Sequence, residues 1–203
     1  MGLGSAVLVV LVAYLLGAVP TGYLVSRYVA GQDPRAQGSG KTGATNVRRL
    51  LGWKGFFLVL GLDIFKGALA VLVAGWLVSG PGEPWLKALA GFMGVVGHTW
   101  SIFLAFQGGR GVAPAGGAML AMMPEVMLIT SLLVGIPTVL LSRYMSLGSL
   151  FGAIAVPLTT LALVVAFDRP WPYFIYAATA AGLIIYKHKD NIERLRTGTE
   201  RRI

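Results

Sequence analysis

Long apolar runs alternate with short polar segments along the whole chain. A membrane-spanning helix needs about 20 consecutive apolar residues. Five runs approach or reach that length, at residues 5–29, 55–78, 86–106, 147–167 and 171–186. This pattern predicts an all-α fold, a bundle of transmembrane helices.

A sixth apolar stretch, residues 112–141, is interrupted by Gly116-Gly117, Pro124-Glu125 and Pro137. It is too long for one comfortable span and short for two. We expect a tight hairpin of two short helices that turns at residues 123–125, which gives about seven spans. A single bent or re-entrant element is the alternative, so the pattern leaves five or seven spans open.

The composition is that of an integral membrane protein. Only 12% of the 203 residues are charged and 56% are hydrophobic, whereas soluble domains carry about 25% charged residues. We expect one membrane domain over residues 1–203, with the first apolar run retained as a span because it is too long for a signal peptide. The chain has no cysteine, which excludes disulfides and thiolate metal sites.

Basic residues are concentrated in the polar segments on one side of the predicted spans. The net charge is +9, and Lys and Arg cluster at residues 30–54, at Arg110 and Arg143, and after residue 186. The positive-inside rule therefore puts the N-terminus outside and the C-terminus in the cytoplasm. Because these residues flank apolar spans, anionic lipid head groups or an anionic substrate explain the charge more simply than nucleic acid does.

The segment 38–49 has the residue types of a phosphate-binding loop. Glycine lets backbone N–H groups approach an anion closely, and polar and basic side chains add donors. The candidate ligands are Ser39, Gly40, Gly43, Thr45, Asn46, Arg48 and Arg49. Gly40-Lys41-Thr42 resembles part of an ATP-binding loop, but Arg35 stands where the first glycine is required and no strand precedes it, which excludes that function. A flexible basic loop beside lipid phosphates is the alternative.

Two further polar segments have features of anion sites. In the segment 107–111, the glycines permit close approach, the next helix would point free N–H groups at an anion, and Arg110 could clamp it. The residues concerned are Gly108, Gly109, Arg110 and Gly111. An ordinary tight turn is the alternative. In the segment 142–149, Ser146 or Ser149 could donate to a phosphate or simply cap the following helix.

Three ionisable residues fall inside predicted spans. Asp63 and Lys66 are spaced to pair on one helix face, and we interpret them as a structural ion pair. His98 lies within the third span, before its predicted end at residue 106. A buried histidine there could serve a polar network or proton transfer, and the sequence leaves both open.

The polar tail after residue 186 is predicted to continue the last helix. His188 and Asn191 then share a face with Leu195, and this face could return to the site. A solvated basic tail is the alternative. The sequence contains no evident Ser-His-Asp set, carboxylate pair or metal-ligand cluster.

Taken in order, these segments resemble the bacterial membrane-integral acyl-phosphate:glycerol-3-phosphate acyltransferases over nearly the whole chain. The matching residues are Gly38-Ser39-Gly40, Gly43-Ala44-Thr45-Asn46, Arg49, Leu62-Asp63, Lys66-Gly67, Gly97-His98, Phe103-Leu104, Phe106, Gly109-Arg110-Gly111-Val112, Ser142-Arg143-Tyr144, Ser146-Leu147, His188, Asn191-Ile192, Arg194-Leu195, Gly198 and Glu200. The chain departs from the family pattern at Lys41-Thr42, at Ala113-Pro114, and at Arg110, where members usually have lysine.

The resemblance implies transfer of an acyl chain from acyl phosphate to the 1-hydroxyl of glycerol 3-phosphate, giving 1-acyl-glycerol 3-phosphate and phosphate. It implies a multi-pass protein of the bacterial inner membrane with a cytoplasmic site. We expect a monomer among membrane lipids, with no cofactor, metal or nucleic acid. We assign catalysis to His188, Asn191, Arg49 and Arg110, and substrate binding to the other candidates of the three anion segments. A structural polar network is assigned to Asp63, Lys66, His98 and Glu200.

Two other classes of protein compete with an enzyme. A transporter of phosphorylated metabolites would favour polar groups near the bilayer midplane and an internal repeat, but the polar groups lie mostly at one surface. A scaffold that binds anionic lipid through its basic tail would not need the glycine-rich segments. An acyltransferase accounts for both features.

Overall fold

The computed structural model describes residues 3–78 and 80–203, so Met1, Gly2 and Ser79 of the predicted domain lie outside the described residues. Its α-helices are α1 Leu3–Ala18, α2 Thr21–Ala30, α3 Ala44–Leu77, α4 Glu83–Thr99, α5 Val112–Met122, α6 Pro124–Thr130, α7 Ile136–Ser142, α8 Met145–Phe167, α9 Trp171–Lys187 and α10 Lys189–Arg196. Short 3₁₀ turns occupy Pro34–Ala36 and Ile102–Leu104, and a π-helical segment, Ser131–Gly135, joins α6 to α7. The predicted all-α class is confirmed.

Within residues 3–78 and 80–203, four helical stretches are long and apolar enough to cross a membrane. They are Gly4–Ala30, Ala44–Leu77, Pro124–Ser142 and Met145–Phe167. The helices α4 and α9 have 17 residues each, and α5 is a shorter apolar helix of 11 residues. The total number of spans stays a prediction.

The first predicted span is interrupted at Pro20, a break that the hydropathy pattern does not predict. Proline lacks an N–H and its ring crowds the preceding turn, so α1 ends at Ala18 and α2 begins at Thr21. The Ser101 hydroxyl donates to the Ala18 carbonyl at 2.5 Å, and Lys66 Nζ donates to the Val19 carbonyl at 2.8 Å. The break is therefore stabilised by side chains from two other segments.

The prediction that the third span runs to residue 106 is wrong, because α4 ends at Thr99. Trp100 leaves the helical conformation, and its carbonyl accepts a hydrogen bond of 2.9 Å from the Tyr14 hydroxyl. Ala105 and Phe106 then adopt positive φ angles of 51° and 59°. Ile102, Phe103 and Phe106 are exposed. They continue the apolar pattern as a lipid-facing turn, which hydropathy does not distinguish from a helix.

The interrupted stretch 112–141 breaks where the sequence predicted. Met123, at φ −146° and ψ 81°, separates α5 from α6, which starts at Pro124. The Met127 side chain packs back against Gly116, so the chain reverses direction there. The second arm is not short, however, because α6, the π-helical segment and α7 form one helix of 19 residues.

Small residues let the central helices approach closely. The helix α3 packs against α1, α4 and α5, while α8 packs against α9. A side chain at Gly67 would overlap the backbone of Pro114, and one at Gly117 would overlap the backbone of Ile64. Glycine at such contacts allows helix backbones to meet within a membrane. The contact of Gly67 with Pro114 places the start of α5 beside the middle of α3, one helical turn beyond Asp63.

Candidate active site

The four polar segments predicted to share one face line a single open cavity of about 150 Å³. The lining comes from residues 39–49, from α3 and α4, from residues 110–113, from the start of α8 and from the tail. The predicted site residues that line it are Ser39, Gly43, Thr45, Asn46, Arg48, Arg49, Asp63, His98, Arg110, Gly111, Ser146, Ser149, His188, Asn191 and Glu200. Four predicted site residues lie outside this lining: Gly40, Gly108, Gly109 and Lys66.

Three helix N-termini converge on the cavity. Helices α3, α5 and α8 each begin with residues that line it: Ala44 and Thr45, Val112 and Ala113, and Met145 and Ser146. The first N–H groups of a helix have no partner within the helix, and its dipole places partial positive charge there. Three such ends in one cavity therefore favour anions before any charged side chain is counted.

Asn46 organises the loop that precedes α3. Its Nδ2 donates to the carbonyls of Pro34 at 2.6 Å, Lys41 at 2.9 Å and Gln37 at 3.1 Å. Its Oδ1 accepts from the Ser39 N–H at 3.0 Å. A carboxamide has two donor hydrogens and one acceptor oxygen, so this side chain is fully used within the protein. Asn46 holds the loop in shape instead of offering a free donor to a ligand.

Two glycines of this loop need a left-handed backbone. Gly38 and Gly40 have φ angles of 62° and 66°, which side chains disfavour. A side chain at Gly38 would also overlap Asn46 Oδ1 and the Arg49 guanidinium. Gly43, in contrast, is an extended N-cap of α3 with φ −74°. The predicted role of glycine thus applies to the turn, while Gly43 starts the helix.

Arginine side chains supply the cationic part of the cavity. Arg49 Nη1 donates to Asn46 Oδ1 at 3.1 Å, and Arg48 stacks on the ring of Trp53 at 4.6 Å. Burial lowers the pKa of Arg110, and the charge of Arg194 lowers it further, but a guanidinium remains protonated in proteins. Among the described residues, Arg110 Nε is buried without a hydrogen-bond partner, so its donor capacity is not used up by the protein.

The tail folds over the cavity through Glu200. Its carboxylate accepts from the Asn191 amide at 2.7 Å, from Arg194 Nε at 2.8 Å and from the Ser146 hydroxyl at 2.9 Å. Burial opposes ionisation of this carboxyl, but the three hydrogen bonds lower the pKa of Glu200 overall. Glu200 therefore ties α8, α10 and the tail together, and Ser146 is engaged by it.

The prediction that the tail continues the last helix is wrong, because the helix is interrupted at His188. Helix α9 ends at Lys187, His188 takes φ −98° and ψ 8°, and α10 starts at Lys189. The turn directs His188 and Asn191 into the cavity lining. Leu195, which was expected on the same face, is not part of that lining. Asn191 Oδ1 is a buried acceptor that no donor satisfies in the part of the chain that the structure describes.

His188 is held as a neutral ring with one defined tautomer. Its Nδ1 lies 2.8 Å from the Ile184 carbonyl, and a carbonyl can only accept, so Nδ1 carries the hydrogen. Burial, with a contribution from the charge of Arg110, lowers the pKa of His188 to about 4. Above that pH the second nitrogen, Nε2, is a hydrogen-bond acceptor in a cavity otherwise rich in donors.

The floor of the cavity is a buried polar cluster. The predicted pair is present, with Lys66 Nζ 2.8 Å from Asp63 Oδ1. The same oxygen accepts from the Thr21 hydroxyl at 2.5 Å and lies 3.5 Å from His98 Nδ1. Asp63 is nine residues beyond Lys54 along α3, a depth of about 14 Å at 1.5 Å per residue. The cavity thus reaches from the protein surface well into the apolar region.

Sequence reasoning missed several lining residues. Lys41, Arg194, Arg201, Arg202 and Ile203 also line the cavity. The Ile203 N–H donates to the Arg143 carbonyl at 2.9 Å, and Arg202 Nε donates to the Tyr144 hydroxyl at 3.2 Å. The excess of arginine after residue 193 could have indicated these lining residues. The positive-inside rule, however, explains the same excess without a role in the site. Over residues 3–78 and 80–203, no three His, Asp or Glu side chains are grouped to hold a metal ion.

An apolar groove of about 160 Å³ adjoins the cavity and shares Val112 and Ser149 with it. It runs between α5, the α6–α7 helix, α8 and α9. Most of its walls are small residues, including Ala115, Gly116, Gly148, Gly152, Ala153, Ala177, Ala180 and Ala181. The groove thus begins at the edge of the positively charged cavity and lies among apolar helices.

Comparisons with known proteins agree on one family. A family model described as glycerol-3-phosphate acyltransferase matches residues 7–198. The chain is 49% identical over 196 residues to glycerol-3-phosphate acyltransferase 2 of Moorella thermoacetica, covering 97% of this chain and 96% of that protein. It is 43% identical over 199 residues to the glycerol-3-phosphate acyltransferase of Thermus thermophilus, covering 98% and 96%.

Solved structures give the same result. The crystal structure of PlsY, an integral membrane glycerol 3-phosphate acyltransferase, in its glycerol 3-phosphate form is similar with a TM-score of 0.88 and 39% identity, covering 98% of this chain and 96% of that chain. Its lysophosphatidic acid form is similar with a TM-score of 0.84 and 37% identity, covering 98% and 95%.

Replacing Asn46 by Asp tests the role of this residue in the loop. Aspartate retains the acceptor but loses the donors to three backbone carbonyls, and it buries a charge. We expect the free energy of unfolding to fall by about 1–3 kcal/mol, and trypsin to cleave at Arg35 or Lys41 faster than in the wild type. Gln37→Glu, at an exposed side chain of the same loop, is the control. Equal cleavage rates in the two variants would contradict the assignment.

Proposed function

This chain belongs to the glycerol-3-phosphate acyltransferase family, and we propose that it acylates the 1-hydroxyl of glycerol 3-phosphate with acyl phosphate as the donor. The products are 1-acyl-glycerol 3-phosphate and inorganic phosphate. The enzyme class and the integral membrane character follow from the family. The donor, the acylated position and the residue roles are the content of the proposal.

The junction of the cavity with the apolar groove is the observation that carries this proposal. A cavity with three helix N-termini and several guanidinium groups suits phosphate groups. An apolar groove that starts at its edge suits a long acyl chain. Acyl phosphate combines the two chemistries in one molecule, with the charge at one end and the chain at the other.

The reaction needs no protein nucleophile, because acyl phosphate is a mixed anhydride with a good leaving group. The substrate hydroxyl oxygen attacks the acyl carbonyl carbon and forms the ester bond. The bond from that carbon to the phosphate oxygen breaks, and phosphate leaves. The hydroxyl proton passes to a base. Binding two anions side by side and stabilising the developing negative charge supply the rate gain.

The residue roles follow from which donors and acceptors the protein leaves free. Ser39, Thr45 and the N-terminus of α3 would cradle the acyl-phosphate head, with Asn46 shaping the loop. Arg49 and Arg110 would grip phosphate oxygens. His188 and Asn191 would position glycerol 3-phosphate, whose hydroxyl can donate to the neutral His188 Nε2 or to the unsatisfied Asn191 Oδ1. Ser146 acts through Glu200, whereas Ser149, whose hydroxyl donates to the Met145 carbonyl at 2.9 Å, lies where the cavity meets the groove.

The substrate phosphate is the better candidate for the base. Its second pKa of about 6 leaves it mostly dianionic at neutral pH. His188 is a weaker base, because its pKa is lowered to about 4. We therefore assign His188 to holding the hydroxyl in place, and proton removal to the phosphate of glycerol 3-phosphate itself.

The orientation in the cell is also part of the proposal. The segments that carry the excess of Lys and Arg all meet at one end of the molecule, which supports a site on the cytoplasmic face of a bacterial inner membrane. A monomer as the active unit is likewise part of the proposal. Lys41 lies in the lining, so the departure from the family pattern at this position adds a positive charge to the site.

A donor comparison in purified protein tests the reaction. We expect phosphate release from acyl phosphate that depends on glycerol 3-phosphate, and no turnover with an acyl thioester as the only donor. Arg49→Ala and Arg110→Ala should each lower kcat/KM by about 100-fold or more. Lys54→Ala, a basic residue outside the cavity lining, is the control. Full activity in both arginine variants would contradict the site assignment, and transport without turnover would favour the transporter.

The pH dependence separates the two candidate bases. With the substrate phosphate as base, kcat/KM should fall below about pH 6, where the phosphate becomes monoanionic. This limb should persist in His188→Gln at a reduced overall rate. An acid limb near pH 4 in the wild type that disappears in His188→Gln would instead identify His188 as the base, because its protonation occurs there.

The apolar groove can be blocked at Gly152. A side chain at Gly152 would meet no protein atom within 4 Å of its Cβ, so Gly152→Leu should fold normally while filling part of the groove. We expect kcat/KM for a long-chain acyl phosphate to fall by about 10- to 100-fold, with little change for a two- to four-carbon acyl phosphate. Gly182→Leu, equally uncrowded but outside the groove lining, is the control. Equal effects on short and long chains would contradict the assignment of the groove.

A further inference from the structure

The segment that follows α4 turns back and contacts His98, which lies near the end of α4. The chain turns out through residues 100–107, and the Gly109 N–H then donates to the His98 carbonyl at 3.2 Å. The imidazole lies directly against Gly109, where any side chain would overlap ring atom Nε2. A side chain at Gly108 would overlap the carbonyls of His98 and Thr99. The backbone carbonyl and the imidazole ring of His98 together therefore fix the position of the turn at Gly108 and Gly109.

The ring of His98 is itself held from behind. Its Nδ1 lies 3.5 Å from Asp63 Oδ1, and the same oxygen is fixed by Thr21 and Lys66. All of these side chains are at least nine-tenths buried; Asp63, for example, is 1% exposed. The imidazole is thus clamped between a fixed carboxylate and the returning turn.

A cluster of this kind is expensive to place in a membrane. Charged groups away from water cost several kcal/mol, and apolar residues of similar size often hold helices together equally well. Apolar residues cannot, however, hold an imidazole in one orientation through its ring nitrogen. The cost is explained if the orientation of the His98 ring matters for the residue that follows Gly109, which is Arg110.

We propose that His98, oriented by Asp63, is a positioning residue that sets the 108–111 turn and thereby aims Arg110 at the substrate phosphate. This rests on the proposed function, in which Arg110 grips a phosphate oxygen. Arg110 lines the cavity and keeps a buried Nε without a partner among the described residues. Its aim depends on the backbone direction at Gly109, which the ring of His98 determines.

Two replacements of His98 separate positioning from scaffolding. The asparagine amide nitrogen reaches about where Nδ1 lies, so His98→Asn keeps the contact with Asp63 but empties the space against Gly109. The glutamine amide nitrogen reaches about where Nε2 lies, so His98→Gln keeps that space filled. We expect His98→Asn to retain the thermal unfolding midpoint and to raise one KM by about 10- to 100-fold, with a smaller change in kcat. His98→Gln should restore most of the loss.

The substrate concerned is identified by Arg110→Ala, since both variants should raise the KM of the same substrate. If His98 acts through Arg110, His98→Asn should add no further loss in the Arg110→Ala background. Thr160→Val is the matched control, because Thr160 is also fully buried in a spanning helix but donates only to the Val156 carbonyl. It should leave both KM values unchanged.

An unchanged KM in folded His98→Asn, or fold-changes that multiply in the double variant, would overturn the positioning role. Wild-type kinetics in Arg110→Ala would overturn the proposed function instead. If His98→Asn does not fold, Asp63→Asn gives the second route, because it keeps the volume and one acceptor oxygen while weakening the hold on His98. It should raise the same KM and show the same non-additivity with Arg110→Ala.

Discussion

A backbone polar group that a helix break frees within the bilayer has to find its partner inside the protein, because hydrocarbon supplies none. The break at Pro20 frees the carbonyls of Ala18 and Val19, and Ser101 and Lys66 satisfy them. The charge of buried Lys66 is compensated by the Asp63 carboxylate. The same carboxylate accepts a hydrogen bond from the Thr21 hydroxyl and lies close to the His98 ring. The break in the first helix is therefore connected, through Lys66 and Asp63, to His98 near the end of α4 and to the floor of the cavity.

The upper part of the cavity has the opposite character, since among the described residues Glu200 pairs with Arg194 and the other arginine side chains of the lining have no carboxylate partner. Three helix N-termini and several arginine side chains line this part of the cavity. The Glu200 carboxylate already accepts hydrogen bonds from Ser146, Asn191 and Arg194. Groups of like charge repel one another, so the empty site is less stable than it would be with neutral residues. Bound anions relieve this repulsion, and binding is therefore linked to the stability of the fold.

Much of the fold could be predicted because hydropathy reports burial in lipid. The ends of α8 and α9 and the break at Met123 agree with the sequence pattern within a few residues. The end of α4 could not be found in this way, because Ile102, Phe103 and Phe106 face lipid whether or not they are helical. The break at Pro20 carried a local signal, but its stabilisation depends on Lys66 and Ser101, which are distant in sequence.

The site was predictable in its residue types and less so in its roles. Glycine, arginine and helix starts indicated an anion site, and the structure brings those segments together. The sequence pattern around Asn46 could not show that its side-chain amide donates its hydrogen bonds to carbonyls of its own loop. The pairing of Ser146 with Glu200 spans 54 residues, and no local spacing encodes such a contact. The lining by Arg201 and Arg202 depends on a tail that folds back, which charge counting alone does not reveal.

The groove and the cavity meet at Val112 and Ser149, so in the proposed function the protein joins an aqueous compartment to a lipid one. A small phosphate ester arrives by diffusion in three dimensions, whereas a long-chain reactant that enters through the groove arrives by diffusion in the plane of the bilayer. The encounter frequency of the second is then governed by its mole fraction among the lipids and not by its amount per volume of solution. Diluting the membrane with inert lipid would slow such a catalyst, while adding more water would not.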